Sequence, residues 1–168
     1  MSKIFAGRYT AASDEPVVVF MVGMRINRFW QVTKWLPVAK AMTPMLKTLY
    51  QNPEKGFMGG QFFLSWRGLM LVQYWRSFEE LEEFARNPSD PHLPAWRQFN
   101  KNVGKDGSVG IWHETYIVQP GKYESVYGNM PKFGLAAVTN HVPAVGNRET
   151  ARHRLGREAV SVNGNDNK

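Results

Sequence analysis

The chemistry-bearing residues of this chain cluster around one short stretch, GIWHETY at 110–116, where His113 and Glu114 sit side by side among strong strand formers. Ionisable groups are costly to bury, and neighbours on a strand point to opposite faces. His113 therefore shares a face with Val109, Ile111, Thr115 and Ile117, while Glu114 joins Gly110, Trp112, Tyr116 and Val118. His113 has two readings: a core histidine bonded to a carbonyl or a tyrosine, or a base that looks into a pocket between sheet and helices. In the second, an imidazole titrating near neutrality takes a proton from a phenol or an enol. Glu114, on the other face, would meet a partner sheet and needs a cation, with Arg25 or Arg76 at strand ends as candidates. His92 stands at the start of an expected helix, whose positive end disfavours imidazolium. It is either a surface residue or a neutral ring able to ligate metal or accept a proton.

Other chemistries are poorly supported. There is no cysteine, which removes disulfides, thiol nucleophiles and thiolate metal sites. The four histidines, at 92, 113, 141 and 153, lack H-x-x-x-H or facial-triad spacing, so no metal site is expected. Glycine-rich nucleotide motifs and a serine nucleophile elbow are missing. Formal charge is +7. Five Lys/Arg and three Asp/Glu of that balance lie from Pro143 onward, and no consecutive basic block occurs, so neither nucleic acid nor a membrane is expected as a partner. The first residues lack the apolar core of a signal peptide, and no run is long enough to span a bilayer. A cytoplasmic protein is the expectation.

The elements that must carry these residues follow from periodicity. EPVVVFMVGMRI at 15–26 predicts a central, covered strand. Thr33 can cap a helix whose apolar face is Trp35, Val38, Met42, Leu46 and Leu49, with Pro44 expected to kink or split it. FMGGQFFLSW and LMLVQYW around Arg67-Gly68 predict a hairpin. Ser77 and Glu80 form a capping box. Asp90 with Pro91 predicts a second N-cap, leading a helix that ends near Gly104. The strand at 108–118 follows, then a short one in YESVY. The order is β-α-β-β-α-β plus an extension: an α+β, ferredoxin-like sheet with helices on one face. Residues 1–142 form this domain with its C-terminal strand extension. Residues 143–168 are small, polar and basic, which suggests a flexible or partner-docked tail.

The stretches GRYTA (7–11), MRINRFWQVTKWLP (24–37), VQYWRSFEELEEFARNPSDPHLPAWRQFNK (72–101), GIWHETY and YGNMP (127–131) resemble the fumagillin-cluster monooxygenase-like family, of the dimeric α+β barrel superfamily. The resemblance covers roughly residues 5–142. It implies a homodimer formed through the sheet and a small-molecule substrate. The wider superfamily includes cofactor-free monooxygenases, haem-degrading enzymes, haem-dependent aldoxime dehydratases and non-catalytic members, and fold analogy does not choose among them. In the haem-degrading branch a histidine ligates iron where this chain has Asn100, so any haem ligand here would be His92 or His113.

The function expected is a monooxygenase-like enzyme of secondary metabolism acting on a small apolar or aromatic metabolite without a cofactor. His113 would be the base, with Arg25 or Asn27 near the developing anion and Trp66, Tyr74, Trp96, Trp112 and Tyr116 walling the substrate. The alternatives are a haem protein of the aldoxime dehydratase or peroxidase type, and a non-catalytic small-molecule-binding dimer.

Overall fold

A computed structural model describes residues 2–156, which group into two compact units: Pro16–Val118, and the described parts of Met1–Glu15 with Gln119–Lys168. In the first unit β2 (Val17–Ile26), β3 (Phe57–Ser65), β4 (Gly68–Trp75) and β5 (Val109–Val118) form one sheet in the order β3-β4-β2-β5. Every adjacent pair is antiparallel. A helix crosses from β2 to β3 and two more cross from β4 to β5, which is the ferredoxin-like βαββαβ plan. The run of β-branched residues in β2 is explained by its place, since it pairs with β4 on one side and β5 on the other.

Register sets the faces. Val18, Phe20, Val22 and Met24 of β2 stand opposite Trp75, Gln73, Leu71 and Leu69 of β4, so these residues share the helix side of the sheet. Gly68 makes the β3–β4 turn possible, because a Cβ there would run into the carbonyl of Met24.

Helix α1 spans Val32–Gln51 without a break at Pro37 or Pro44, and it starts at Gln31 with no side-chain cap. The kink expected at Pro44 does not split it. Both Pro44 and Lys40, whose carbonyl loses its usual donor, are exposed, so water can complete that bond. Helix α2 (Phe78–Arg86) begins as its capping box predicts: the Ser77 hydroxyl accepts from the Glu80 N–H at 3.2 Å. Helix α3 (His92–Asn102) does not use Asp90 as its cap. Asp90 is buried instead and bonds Lys55 Nζ at 2.9 Å, an ion pair between segments 35 residues apart that outcompetes the local cap.

Two apolar clusters bind the helices to the sheet. At the start of β2, Val18, Leu49, Phe57, Trp75, Leu81 and Phe84 pack together. Trp75 is fully buried, and its indole N–H donates to Gln73 Oε1 at 2.9 Å, which satisfies both polar groups. At the other end of β2, Met24, Val103 and Val109 pack with Trp35, Val38 and Phe99.

The second unit is a three-stranded antiparallel sheet in the order β6-β1-β7, from β1 (Phe5–Ala12), β6 (Tyr127–Met130) and β7 (Asn140–Pro143). Strand β1 is missing from the expected order because its FAGRYTAA sequence has weak alternation and a bulge at Gly7, which adopts φ of 91°. The extension forms at YGNM rather than in YESVY. Tyr9 of β1 stacks on His141 of β7 with ring centroids 4.4 Å apart. Short helices α4 (Leu135–Val138) and α5 (Ala151–Arg154) complete the unit. Within the compositionally distinct segment 143–168, Ala144 is buried with its N–H on the Arg8 carbonyl, and Arg154 pairs with Glu124. Residues 157–168 lie outside the described residues.

Trp75→Ala should lower the stability of the protein by about 3 to 5 kcal/mol through cavity formation and the orphaned Gln73 amide. Denaturant unfolding measures this; a loss below about 1 kcal/mol would show that the Trp75 cluster does not anchor the helix layer.

Candidate functional site

Between the two apolar clusters the helix layer does not close on the sheet. Val22, Met24, Leu69 and Ile111 floor a cavity of about 150 Å³, with α1 along one wall and α3 along the other. A space of that order admits a single benzene-sized ring. From α1 come Pro37, Val38, Ala41, Met42 and Met45, and from α3 Ala95, Trp96 and Phe99. Trp96 and Phe99 stack at 5.7 Å, giving that wall a flat aromatic section. The lining includes four polar side chains: Lys34, His92, Gln98 and Asn102.

Two of these are held by polar partners. At one end Lys34 Nζ donates to the Asn102 carbonyl and lies 3.2 Å from Asp106. The Asp106 carboxyl is lowered to about 2, chiefly because it accepts from the Ser108 hydroxyl and N–H, with Lys34 adding to the effect. Its charge therefore persists through the physiological range and keeps Lys34 engaged. At the other end His92 Nδ1 lies 2.9 Å from the Ala85 carbonyl. A carbonyl only accepts, so Nδ1 carries a proton, and in the neutral ring the lone pair lies on Nε2. His92 is half-buried by this bond and by the neighbouring Phe84 ring, 6.5 Å away.

The residues singled out from sequence do not converge. His113 pairs with Val22 and so lies on the helix side of the sheet, but β5 is an edge strand and His113 is exposed and outside the cavity lining. Its nearest ring is Phe20, at 5.6 Å. The burial cost that made it conspicuous is absent in this chain. Arg25 is exposed and donates to Asn27, whose amide in turn donates to the Gly107 carbonyl at 3.0 Å. Both thus secure the lead-in to β5. Glu114 accepts from the Tyr116 hydroxyl, which raises the phenol's pKa. The expected cations are elsewhere: Arg76 bonds Glu80 at 2.7 Å, and Arg25 bonds Asn27.

Of the aromatic residues expected around a substrate, Trp96 lines the cavity. Trp66 projects from the β3–β4 turn, and Tyr74 is buried on the face away from the helices. Trp112 crosses Gly23 on that same face; a Cβ at Gly23 would come within 2.7 Å of its indole nitrogen. The polar cavity residues that sequence reading passed over are Lys34, Gln98 and Asn102. The helical spacing of Gln98 and Asn102 against Ala95 and Phe99 was legible, and Lys34 lay beside the apolar stripe of α1, but nothing local said that either face bordered a gap.

Of the two candidate haem ligands, His113 has no bond that fixes its ring, whereas His92 has the carbonyl partner common behind metal-bound imidazoles. The space beside His92 suits one ring, and a porphyrin carries four pyrroles in one plane. The residues present do not fit haem. Among the described residues no group of three or more His, Cys, Asp or Glu could hold a metal ion, and no helix is long and apolar enough to cross a membrane.

Comparison with known proteins gives a match over residues 17–135 to the family described as Monooxygenase af470-like. Monooxygenase af470 of Aspergillus fumigatus is 28% identical over 151 residues, taking in 77% of this chain and 53% of its own. The chain thus spans about half the length of that curated relative. Among solved structures, an aldoxime dehydratase in complex with butyraldoxime superposes with a TM-score of 0.64 at 15% identity, over 82% of this chain and 43% of that one. At that identity the likeness bears on the fold alone.

Because His113 is exposed on an edge strand, His113→Phe should change stability by no more than about 0.5 kcal/mol. Thermal or denaturant unfolding reads this directly. A loss of about 1 to 3 kcal/mol would reveal a buried partner for the ring.

Proposed function

The chain belongs to the Monooxygenase af470-like family, and from that premise we propose a monooxygenase-like enzyme that binds a small apolar or aromatic metabolite between α1, α3 and the sheet. The base in this reading is His92 rather than His113. The observation that carries it is the His92–Ala85 hydrogen bond at the cavity wall, which leaves Nε2 as the nitrogen with a free lone pair. An enolisable C–H or a phenol held against Trp96 would lose its proton to that nitrogen. The resulting electron-rich anion is what dioxygen attacks. Converting a CH₂ to a carbonyl removes four electrons, which reduce O₂ to one product oxygen and one water, so the substrate itself is the reductant. The chain's part is to hold the ring, exclude water with Val22, Met42 and Met45, and take the proton.

The expected result is dioxygen consumption with a one-ring phenol or enolisable ketone by metal-chelated protein, with one labelled oxygen from ¹⁸O₂ in the product. His92→Gln should reduce the rate by about 10² to 10⁴-fold while leaving the melting temperature nearly unchanged. An unaltered rate in His92→Gln removes the assigned base. A Soret band in freshly purified protein, with activity tracking it, would replace this reading with haem chemistry.

We also propose that the chain forms a homodimer through the sheet face turned away from the helices. That face includes Met21, Val72, Phe63, Trp112 and Tyr116, and Trp112 and Tyr116 remain 36% and 51% exposed in the single chain. Apolar area of this kind is commonly covered in solution by a second copy. Light scattering at micromolar concentration should give twice the chain mass, and Trp112→Glu should shift it to the monomer. A monomeric parent protein would sink the proposal.

A further inference from the structure

The Pro16–Val118 unit carries a feature that its cavity does not use. From Pro16 to Phe78 the chain contains eight Lys/Arg and one acidic residue, Glu54, so the entire formal charge of +7 falls in this stretch and the remainder balances. Residues 79–118 of the same unit carry four Lys/Arg against seven Asp/Glu, so the unit as a whole holds +4. Part of the basic charge gathers at one end of the sheet. There the loop 27–31 and the turn 65–68 lie together, joined by Ile26 N–H to the Arg67 carbonyl at 2.6 Å and by Arg67 Nη1 to the Ile26 carbonyl at 3.3 Å. Arg28, Arg67 and, through the Asn27–Gly107 bond, the segment bearing Lys101 and Lys105 belong to this end. Asp106 is the carboxylate nearest in sequence to that segment, and it is already engaged by Ser108 and Lys34.

Large apolar side chains project from these loops and from the adjoining end of β3. Trp30 is 78% exposed, Trp66 77% and Leu64 78%, with Phe29 beside them. They are not loose. The Arg67 guanidinium lies 4.5 Å from the Trp66 ring and 5.2 Å from the Phe29 ring, those rings are 5.8 Å apart, and the Phe29 carbonyl accepts from Trp35 Nε1 at 3.0 Å. A fixed Trp66–Phe29 pair thus stands on Arg67, with the exposed Trp30 and Leu64 side chains at the same end.

We propose that this end of the unit docks on an anionic membrane surface. Trp favours the headgroup layer, Leu64 and Phe29 would enter the acyl boundary, and arginine stems lie along apolar surface while their charged heads meet lipid phosphates. Single-stranded nucleic acid would use the basic charge and the indoles, but it offers nothing to a bare Leu64 side chain. Lys34 and Asn102, which line one end of the cavity, lie at this same end. If the cavity is the substrate site, as proposed above, a guest dissolved in lipid would enter from there.

The test is cosedimentation of the full chain with phosphatidylcholine vesicles that contain or lack phosphatidylserine, together with quenching of Trp fluorescence by brominated lipid. Binding is expected with phosphatidylserine, falling as salt rises, with Trp quenching. Arg28→Gln should weaken it about fivefold, and Trp30→Ala with Trp66→Ala about tenfold or more. Leu64→Ser probes the same patch without disturbing the Arg67 stack and should also weaken binding, with an unchanged melting temperature. Absence of vesicle binding, or full binding by the double Trp variant and by Leu64→Ser, overturns the proposal. So does displacement of the protein from vesicles by a single-stranded oligonucleotide with retention of that oligonucleotide by the same residues, or a halving of mass in light scattering when Trp30 and Trp66 are replaced, which would make the patch a contact between copies. None of these readouts depends on turnover, so failure here leaves the His92 reading intact and failure of that reading leaves this one intact.

Discussion

Two antiparallel ladders hold β2 at the centre of its sheet, and the rest of the Pro16–Val118 unit is arranged around that constraint. Paired residue by residue from Val17 to Ile26 with β5, and from Val18 to Arg25 with β4, the strand has no freedom to slip, because a shift of one residue would exchange its faces. Its first helix-side residues, Val18 and Phe20, enter the Trp75 cluster, and Met24 and Ile26 enter the cluster at the other end. Val22 falls between them and becomes the cavity floor. On the opposite face Gly23 leaves the room that the Trp112 ring fills.

The cavity is a consequence of where packing succeeds. Large rings close the first cluster and the Met24–Val103–Val109 group closes the second, so α1 and α3 are pinned near both ends. The middle of α1 presents Ala41 and Met42, and the facing part of α3 presents Ala95. Small and flexible side chains opposite one another leave a gap that a bulkier pair would close. Its polar groups are few, and two of the four, Lys34 and His92, are already hydrogen-bonded, so shape dominates the lining.

The contrast between His92 and His113 shows how little a residue type says without its surroundings. Both are histidines in aromatic sequence contexts. His113 stands on an edge strand with access to water, where its ring is neither constrained nor desolvated. His92 begins a helix, a position that sequence alone associates with the surface, yet the turn between α2 and α3 folds it back so that the Ala85 carbonyl fixes its tautomer. The Lys55–Asp90 pair, with Asp90 buried two residues before His92, secures that turn.

Signals that act within about four residues were legible in the sequence alone: the Ser77–Glu80 cap, the hairpin forced by Gly68, the alternating faces of β5 and the apolar stripe of α1. They sufficed for the ferredoxin-like order because local propensity and periodicity agree with the fold along most of residues 16–118. The tertiary structure alone decided the rest. Asp90 leaves its capping role for Lys55, Pro44 stays inside an unbroken helix because its freed carbonyl partner faces water, and β1 forms because β6 and β7 supply the hydrogen bonds its own sequence does not advertise. The site belongs to this second group. Lys34 meets Asn102 across 68 positions, and His92 lines the same cavity as Val22 and Met24 of β2. Such contacts depend on how helices settle on a sheet, and no spacing along the chain encodes them.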